Sequence, residues 1–223
     1  MTAKSNDPKE LTNSELESAI VFGLLSDKNT FVFAGNNKKE ILANIKKHVD
    51  ARISVVKAAK EAEECMKWRR NNAGTDFPEV YHPDDHGTPQ QYWNLVKNKE
   101  VQCNWGARYV MGAGGELFRR DPSVFIPGDK CYFDHTTVAD KVIDPLTDQI
   151  IQVGNNVTTG QNVIYLGGHL FWGHHPEESI LTVNGWIERD FGGNPAEFDM
   201  NKNNGKPIIH SFPEAGLDSV IRR

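Results

Sequence analysis

From Lys38 to Asn71 the apolar positions Ile41, Ile45, Val49, Ile53, Val56 and Ala59 recur every three or four residues, with Lys, Glu and Arg between them. That spacing predicts a helix, either one rod or two with a break. Upstream, Thr12-Asn13-Ser14-Glu15 supplies N-cap residues and an early glutamate before Leu16, Ala19, Ile20 and Phe22, which predicts a short helix. Thr30 to Phe33 predicts a short strand, and Gln91 to Lys97 a short helix. The polar run Lys97-Asn98-Lys99-Glu100 then gives way to small and apolar residues: Ala107, Val110, Met111 and Ala113. These fall at helical spacing and predict a helix buried on most sides, with Cys103 in its first turn.

Beyond residue 128 the pattern shortens. Lys130 to Phe133 and Val163 to Leu166 predict strands, Gly167-Gly168 a hairpin turn, and His169 to Trp172 the returning strand. Ile180 to Val183 and Trp186 to Arg189 flank Asn184-Gly185, which predicts a further hairpin with a type I′ turn. Between these elements lie turn-rich segments. Residues 72–91 predict a surface loop packed by Phe77 and Tyr81, Phe118 to Pro122 a loop, and Pro127-Gly128-Asp129 a turn. His135 to Thr159 predicts an irregular polar insertion, and the Asn- and Pro-rich tail from Gly192 ends in a helical stretch over Leu217 to Arg222. Helices precede an antiparallel meander, so the fold class is α+β in a single domain. Its parts are an N-terminal segment (1–36), a helical half carrying Cys103 (37–120), a sheet half (128–190) and a tail (191–223).

Composition narrows the partners. The 223 residues, 38% of them hydrophobic, suffice for one compact core. A net charge of −5 without any basic block argues against nucleic acid and anionic membranes. Cys65, Cys103 and Cys131 are odd in number and far apart, so they predict neither a zinc site nor a disulfide framework, and no cofactor is expected. His82 and His86 flank Asp84 and Asp85 in a pattern open to a metal, but a solvated loop is the favoured reading. The opening residues Met1 to Asp7 lack an apolar core, so no signal peptide is visible. Synthesis in the cytoplasm is expected, with a spore coat or export left open.

Cys103 is the candidate nucleophile. At a helix N-terminus the unpaired N–H groups and the helix dipole favour a thiolate. That placement is the arrangement of papain-like cysteine enzymes, and Cys131, alternating with Tyr132, reads as a structural strand residue.

Four segments in order resemble the bacterial spore-coat type of protein-glutamine gamma-glutamyltransferase, a compact transglutaminase with an NlpC/P60-like fold. They are Arg52-Ile53-Ser54-Val55-Val56-Lys57-Ala58-Ala59-Lys60; Gln102-Cys103; Pro127-Gly128-Asp129 with Tyr132-Phe133; and Gly160-Gln161-Asn162-Val163-Ile164-Tyr165-Leu166-Gly167 followed by His174. The resemblance implies a papain-like fold and a protein substrate: a glutamine donor attacked by Cys103, with lysine as acceptor. It also implies a catalytic position at Gln161 and a second at Gln102, where the family carries glutamates. Glutamine accepts no proton at neutral pH, so neither position acts as a general base. The tryptophans that roof the family's substrate tunnel are absent, one of them falling near Thr158.

The base role then passes to His174, or to His169 across the hairpin, as in Cys–His enzymes generally. Gln102 is a candidate oxyanion donor. Asn162, Asn184 or Gln161 are candidates to orient the imidazole. Trp105, Asn162, Phe171 and Trp172 are candidate substrate contacts, with core packing the alternative for the aromatics. Two other functions share these residues: an NlpC/P60-like peptide or cell-wall amidase, and a non-catalytic binding module that has lost both glutamates.

Overall fold

The computed structural model describes residues 8–26, 31–33, 35–69, 80–115, 125–134, 142–143, 150–151, 160–176, 178–182, 185–186, 189, 207–209 and 220–222. Helix α1 (Asn13–Ser26) begins on a capping box. The Thr12 hydroxyl accepts the Glu15 N–H (3.3 Å), and the Glu15 carboxylate accepts the Thr12 N–H (3.0 Å). Helix α2 (Lys38–Cys65) is a single rod of 28 residues, capped by the Asn37 side chain, which accepts the Glu40 N–H. It ends at Cys65 rather than near Asn71. Met66 turns extended and leads into β2 (Lys67–Trp68), which pairs in parallel with β3 (Glu100–Val101). Neither short strand is legible as a period-2 pattern.

The turn-rich loop contains a one-turn helix, α3 (Pro83–His86), and then α4 (Pro89–Val96), which carries a capping box between Thr88 and Gln91. Tyr81 is buried and its hydroxyl donates to the Gly87 carbonyl (2.8 Å), while Phe77 lies outside the described residues. Directly after β3 comes α5 (Cys103–Gly112), the helix that the small and apolar residues predict.

Five antiparallel strands form the main sheet, in the order β10 (Pro207–Ile209), β4 (Lys130–Asp134), β7 (Gly160–Gly167), β8 (Leu170–Gly173) and β9 (Ile180–Leu181). Two further pairs are β1 (Phe31–Phe33) with β11 (Val220–Arg222), and β5 (Val142–Ile143) with β6 (Ile150–Ile151). The pair β5–β6 falls in the expected irregular insertion, most of which, like Phe118 to Pro122, lies outside the described residues. The α+β class stands.

Three local expectations are corrected. The β7–β8 turn is Gly168-His169, not Gly167-Gly168, because the ladder continues to a Gly167–Leu170 pair. Both turn residues have positive φ (+59° and +65°), as a type I′ turn requires. Gly185 and Trp186 are helical, not the turn and returning strand expected there. Thr182 accepts the Gly185 N–H on its hydroxyl (3.1 Å) and the Trp186 N–H on its carbonyl (3.0 Å), which winds a helical turn. That turn sinks Trp186 to full burial, with its indole N–H on the Phe171 carbonyl (3.1 Å). Finally, Val220 to Arg222 is strand, not helix, because it pairs with β1 at the other end of the chain.

The sheet is buried on both faces, and alternation decides what each face carries. Ile164, Leu166 and Trp172 join Val55, Val56 and Ala59 of α2 and Ala107, Val110 and Met111 of α5 in the main core. On the opposite face lie Val163, Phe171 and Trp186, with Phe125 against the Tyr165 and Phe171 rings. No helix among the described residues is long and apolar enough to cross a membrane.

His48 on α2 is 1% exposed. Burial, then the charges of Arg52 and Lys47, push its pKa down to about 3 from 6.5. The folded value is depressed, so the neutral ring's contribution is complete above pH 6.5 and declines as pH falls toward 3. At about pH 5 the loss amounts to roughly 2 kcal/mol. His48→Gln is therefore expected to flatten the fall of the urea midpoint between about pH 6.5 and 5, above the carboxylate range. An unchanged slope would show that this ring does not carry the effect.

Candidate active site

Val101, Gln102 and Cys103 carry the chain from β3 into α5. Gln102 is the N-cap, extended at φ −81° and ψ 170°, and its carbonyl accepts the Gly106 N–H (3.0 Å). Its side chain makes no capping bond to the helix. Cys103 is the first helical residue and is half-buried. The helix stands among α2, α4 and the sheet, where Tyr109, Val110 and Met111 are buried. Trp105, half-buried, tilts against Tyr109 with ring centroids 5.9 Å apart, and the Arg108 guanidinium lies 5.2 Å over its ring.

His174 leaves the end of β8 and crosses to α5. Its ring stacks on Trp172, with centroids 5.9 Å apart and planes 28° from parallel. A Cβ built on Gly106 would sit 2.8 Å from His174 Cβ and Cγ and 2.9 Å from Cδ2, so the imidazole rests directly on the helix backbone there. Gly106 follows Cys103 by three residues, which places both on one face of α5. The ring is 2% exposed, and its Nε2 lies 3.1 Å from the Lys67 carbonyl and 3.0 Å from that of Val101. Burial lowers the His174 pKa, the two carbonyls oppose that, and His175 adds to it.

The other expected site residues divide by face and by strand end. His169 occupies the exposed hairpin tip before β8, whereas His174 follows it. About four strand residues, roughly 15 Å, separate them, so only His174 meets α5. Gln161 is 2% exposed, and its Nε2 is 3.0 Å from a Cβ built on Gly173, which the Trp186 ring also meets. It thus lies on the Trp186 face of the sheet, away from α5, and its amide nitrogen has no hydrogen-bond partner among the described residues. Asn162, half-buried, takes the opposite parity. Continuing the Val163–Gly173 register by one residue sets it across from His174. Phe171 (3% exposed) and Trp172 (0%) are packed inside, on opposite faces. Asn184 lies outside the described residues. No group of three or more His, Cys, Asp or Glu among the described residues is placed to hold a metal ion.

No protein-family model and no curated protein sequence matches the chain. Among solved structures, a transglutaminase from Geobacillus stearothermophilus, without its C-terminal extension, is similar over 68% of this chain and 84% of its own. The identity is 18% and the TM-score 0.40.

Gly106 and the carbonyls of Lys67 and Val101 do not stand out in the sequence. Gly106 had a signal: a helix-interior glycine costs about 1 kcal/mol relative to alanine, so it implies a close approach. Gly106→Ala is accordingly expected to destabilise the fold by about 1–3 kcal/mol through overpacking on His174, against the gain that propensity alone predicts. Chemical denaturation decides the sign, and a stabilised variant would show that the ring does not rest on Gly106.

Proposed function

We propose that this chain is a cysteine-dependent acyltransferase acting on protein glutamine, with Cys103 as nucleophile and His174 as its proton acceptor. The observation that carries the reading is the seating of the His174 ring on Gly106, one helical turn from Cys103 on the same face. The sequence resemblance in four ordered segments supplies the substrate class.

The Cys103 sulfur attacks the glutamine carboxamide carbon while its proton passes to His174. The tetrahedral intermediate collapses as the ring returns that proton to the leaving nitrogen, releasing ammonia and forming a thioester. A lysine amine then displaces sulfur to give an isopeptide crosslink, or water gives glutamate. Gln102, the N-cap residue next to Cys103 in the chain, is the proposed oxyanion donor through its amide or backbone N–H. Half-buried Trp105 and Asn162 are the aromatic and amide groups proposed to contact substrate. Trp172, fully packed beside His174, walls the site on that face of the sheet, whereas Phe171 lies on the opposite face and belongs to the packing there.

The test is incorporation of a fluorescent primary amine into a glutamine-rich protein, with ammonia measured in parallel. Incorporation with ammonia release supports transfer, and ammonia alone supports the deamidating form. If purified protein does neither, the acyltransfer reading is wrong.

A further inference from the structure

We infer that the backbone carbonyls of Lys67 and Val101 orient the imidazole of His174, holding it as the Nε2–H tautomer with the lone pair on Nδ1. Both acceptors lie within 3.1 Å of one ring nitrogen, and neither can donate. An unprotonated Nε2 there would set its lone pair against two carbonyl oxygens, so the proton belongs on Nε2. The neutral ring is left with one basic nitrogen, Nδ1. The role of that nitrogen in catalysis rests on the acyltransfer reading, whereas the tautomer does not.

The clamp is built into the ladder. Lys67 N–H donates to Lys99 O (3.1 Å) and Arg69 N–H to Val101 O (2.8 Å), which fixes the parallel pair β2–β3. The Val101 carbonyl therefore spends its two lone pairs on Arg69 and His174. Val101 is also two residues before Cys103, so one short segment delivers both the nucleophile and an acceptor for its base. The Trp172 ring stacks beside the imidazole, and Gly106 lies against its Cγ and Cδ2. No side-chain carboxylate or amide takes the Nε2 proton among the described residues: Gln161 points to the other face of the sheet, and the Nε2 contacts are both main-chain. The loss of acidic residues at positions 102 and 161 is thus compatible with an oriented histidine.

Long-range ¹H–¹⁵N NMR on uniformly labelled protein at neutral pH reads the tautomer directly, with His174→Gln supplying the assignment. The expected spectrum shows His174 as one neutral tautomer, protonated at Nε2 and bare at Nδ1. A proton on Nδ1, or an average of the two forms, overturns the inference. Asn162→Ala and Gln161→Leu are expected to leave that tautomer unchanged. Loss of it in either variant assigns the orienting role to a side chain and overturns the inference as well. The spectrum is taken on resting protein without substrate, so an inactive protein with the Nε2–H form refutes only the acyltransfer reading. An active protein with Nδ1–H refutes only the clamp.

Discussion

His174→Gln is expected to reduce amine incorporation and ammonia release by about 10²–10⁴-fold, the usual cost of removing a general base. Glutamine is chosen because its amide can still donate to the Lys67 and Val101 carbonyls, so the contacts that anchor position 174 survive while the proton acceptor is lost. His174→Ala removes both, leaves a cavity against Trp172 and Gly106, and is expected to lower stability as well as rate. Comparing the two variants separates chemistry from packing. Cys103→Ala is expected to abolish turnover, and Cys103→Ser to do nearly as much with the shape retained, since an alcohol is a far poorer nucleophile than a thiol near neutral pH. Steady-state rates on a glutamine-rich protein, with circular dichroism confirming the fold, decide the matter. Full activity in His174→Gln would remove this ring from the mechanism.

The largest loss of stability is expected at the ion pair between α2 and the turn before β4. Arg52 and Asp129 meet at 2.8 Å with side chains 1% and 3% exposed. The guanidinium also donates to the Ile126 and Pro127 carbonyls, and the Asp129 carboxylate accepts the Ile126 N–H (2.9 Å). Gly128, at φ +87°, lets the turn approach so closely that an added Cβ would meet the Arg52 backbone at 3.1 Å. Asp129→Ala strands a buried cation and is expected to cost about 3–5 kcal/mol, against which an apolar replacement of both partners costs little. For a chain of this size that corresponds to a fall of roughly 6–20 °C in Tm. Asp129→Leu combined with Arg52→Met is expected to recover most of the loss, giving a coupling energy that a double-mutant cycle reads from urea midpoints. Additive single effects would show that the two charges do not depend on each other.

How much of this was legible in the sequence follows from the range of each signal. The long period of Ile41 to Ala59 and the change from charged Lys97–Glu100 to apolar Ala107–Met111 are local, and both yield the helices observed. The Thr12–Glu15 box is local too, and its hydrogen bonds are present. Asn184-Gly185 misled because the turn propensity of the dipeptide was outweighed by the Thr182 cap and by the burial of Trp186 under Phe171. The strand at Val220 to Arg222 has its partner in β1, beyond any local window.

At the site, the start of α5 at Cys103 is readable from composition, whereas the resemblance supplies His174. Gln161 was matched through resemblance alone. Strand parity, visible once β7 is registered on β8, puts it on the Trp186 face and Asn162 on the other. The β2–β3 carbonyls are main-chain atoms, identical in every residue type, so no side-chain pattern announces them.

The most direct measurement is the alkylation rate of Cys103, resolved by mass spectrometry from that of Cys65 across about pH 6–8, where thiols of differing acidity separate. Cys65 serves as the internal reference, since burial, then the Glu61 charge, raises its thiol pKa. Iodoacetamide is expected to modify Cys103 faster than Cys65 at neutral pH, and His174→Gln to slow Cys103 alone. A Cys103 that reacts no faster than Cys65, at a rate indifferent to His174, would contradict the pairing of this sulfur with that ring.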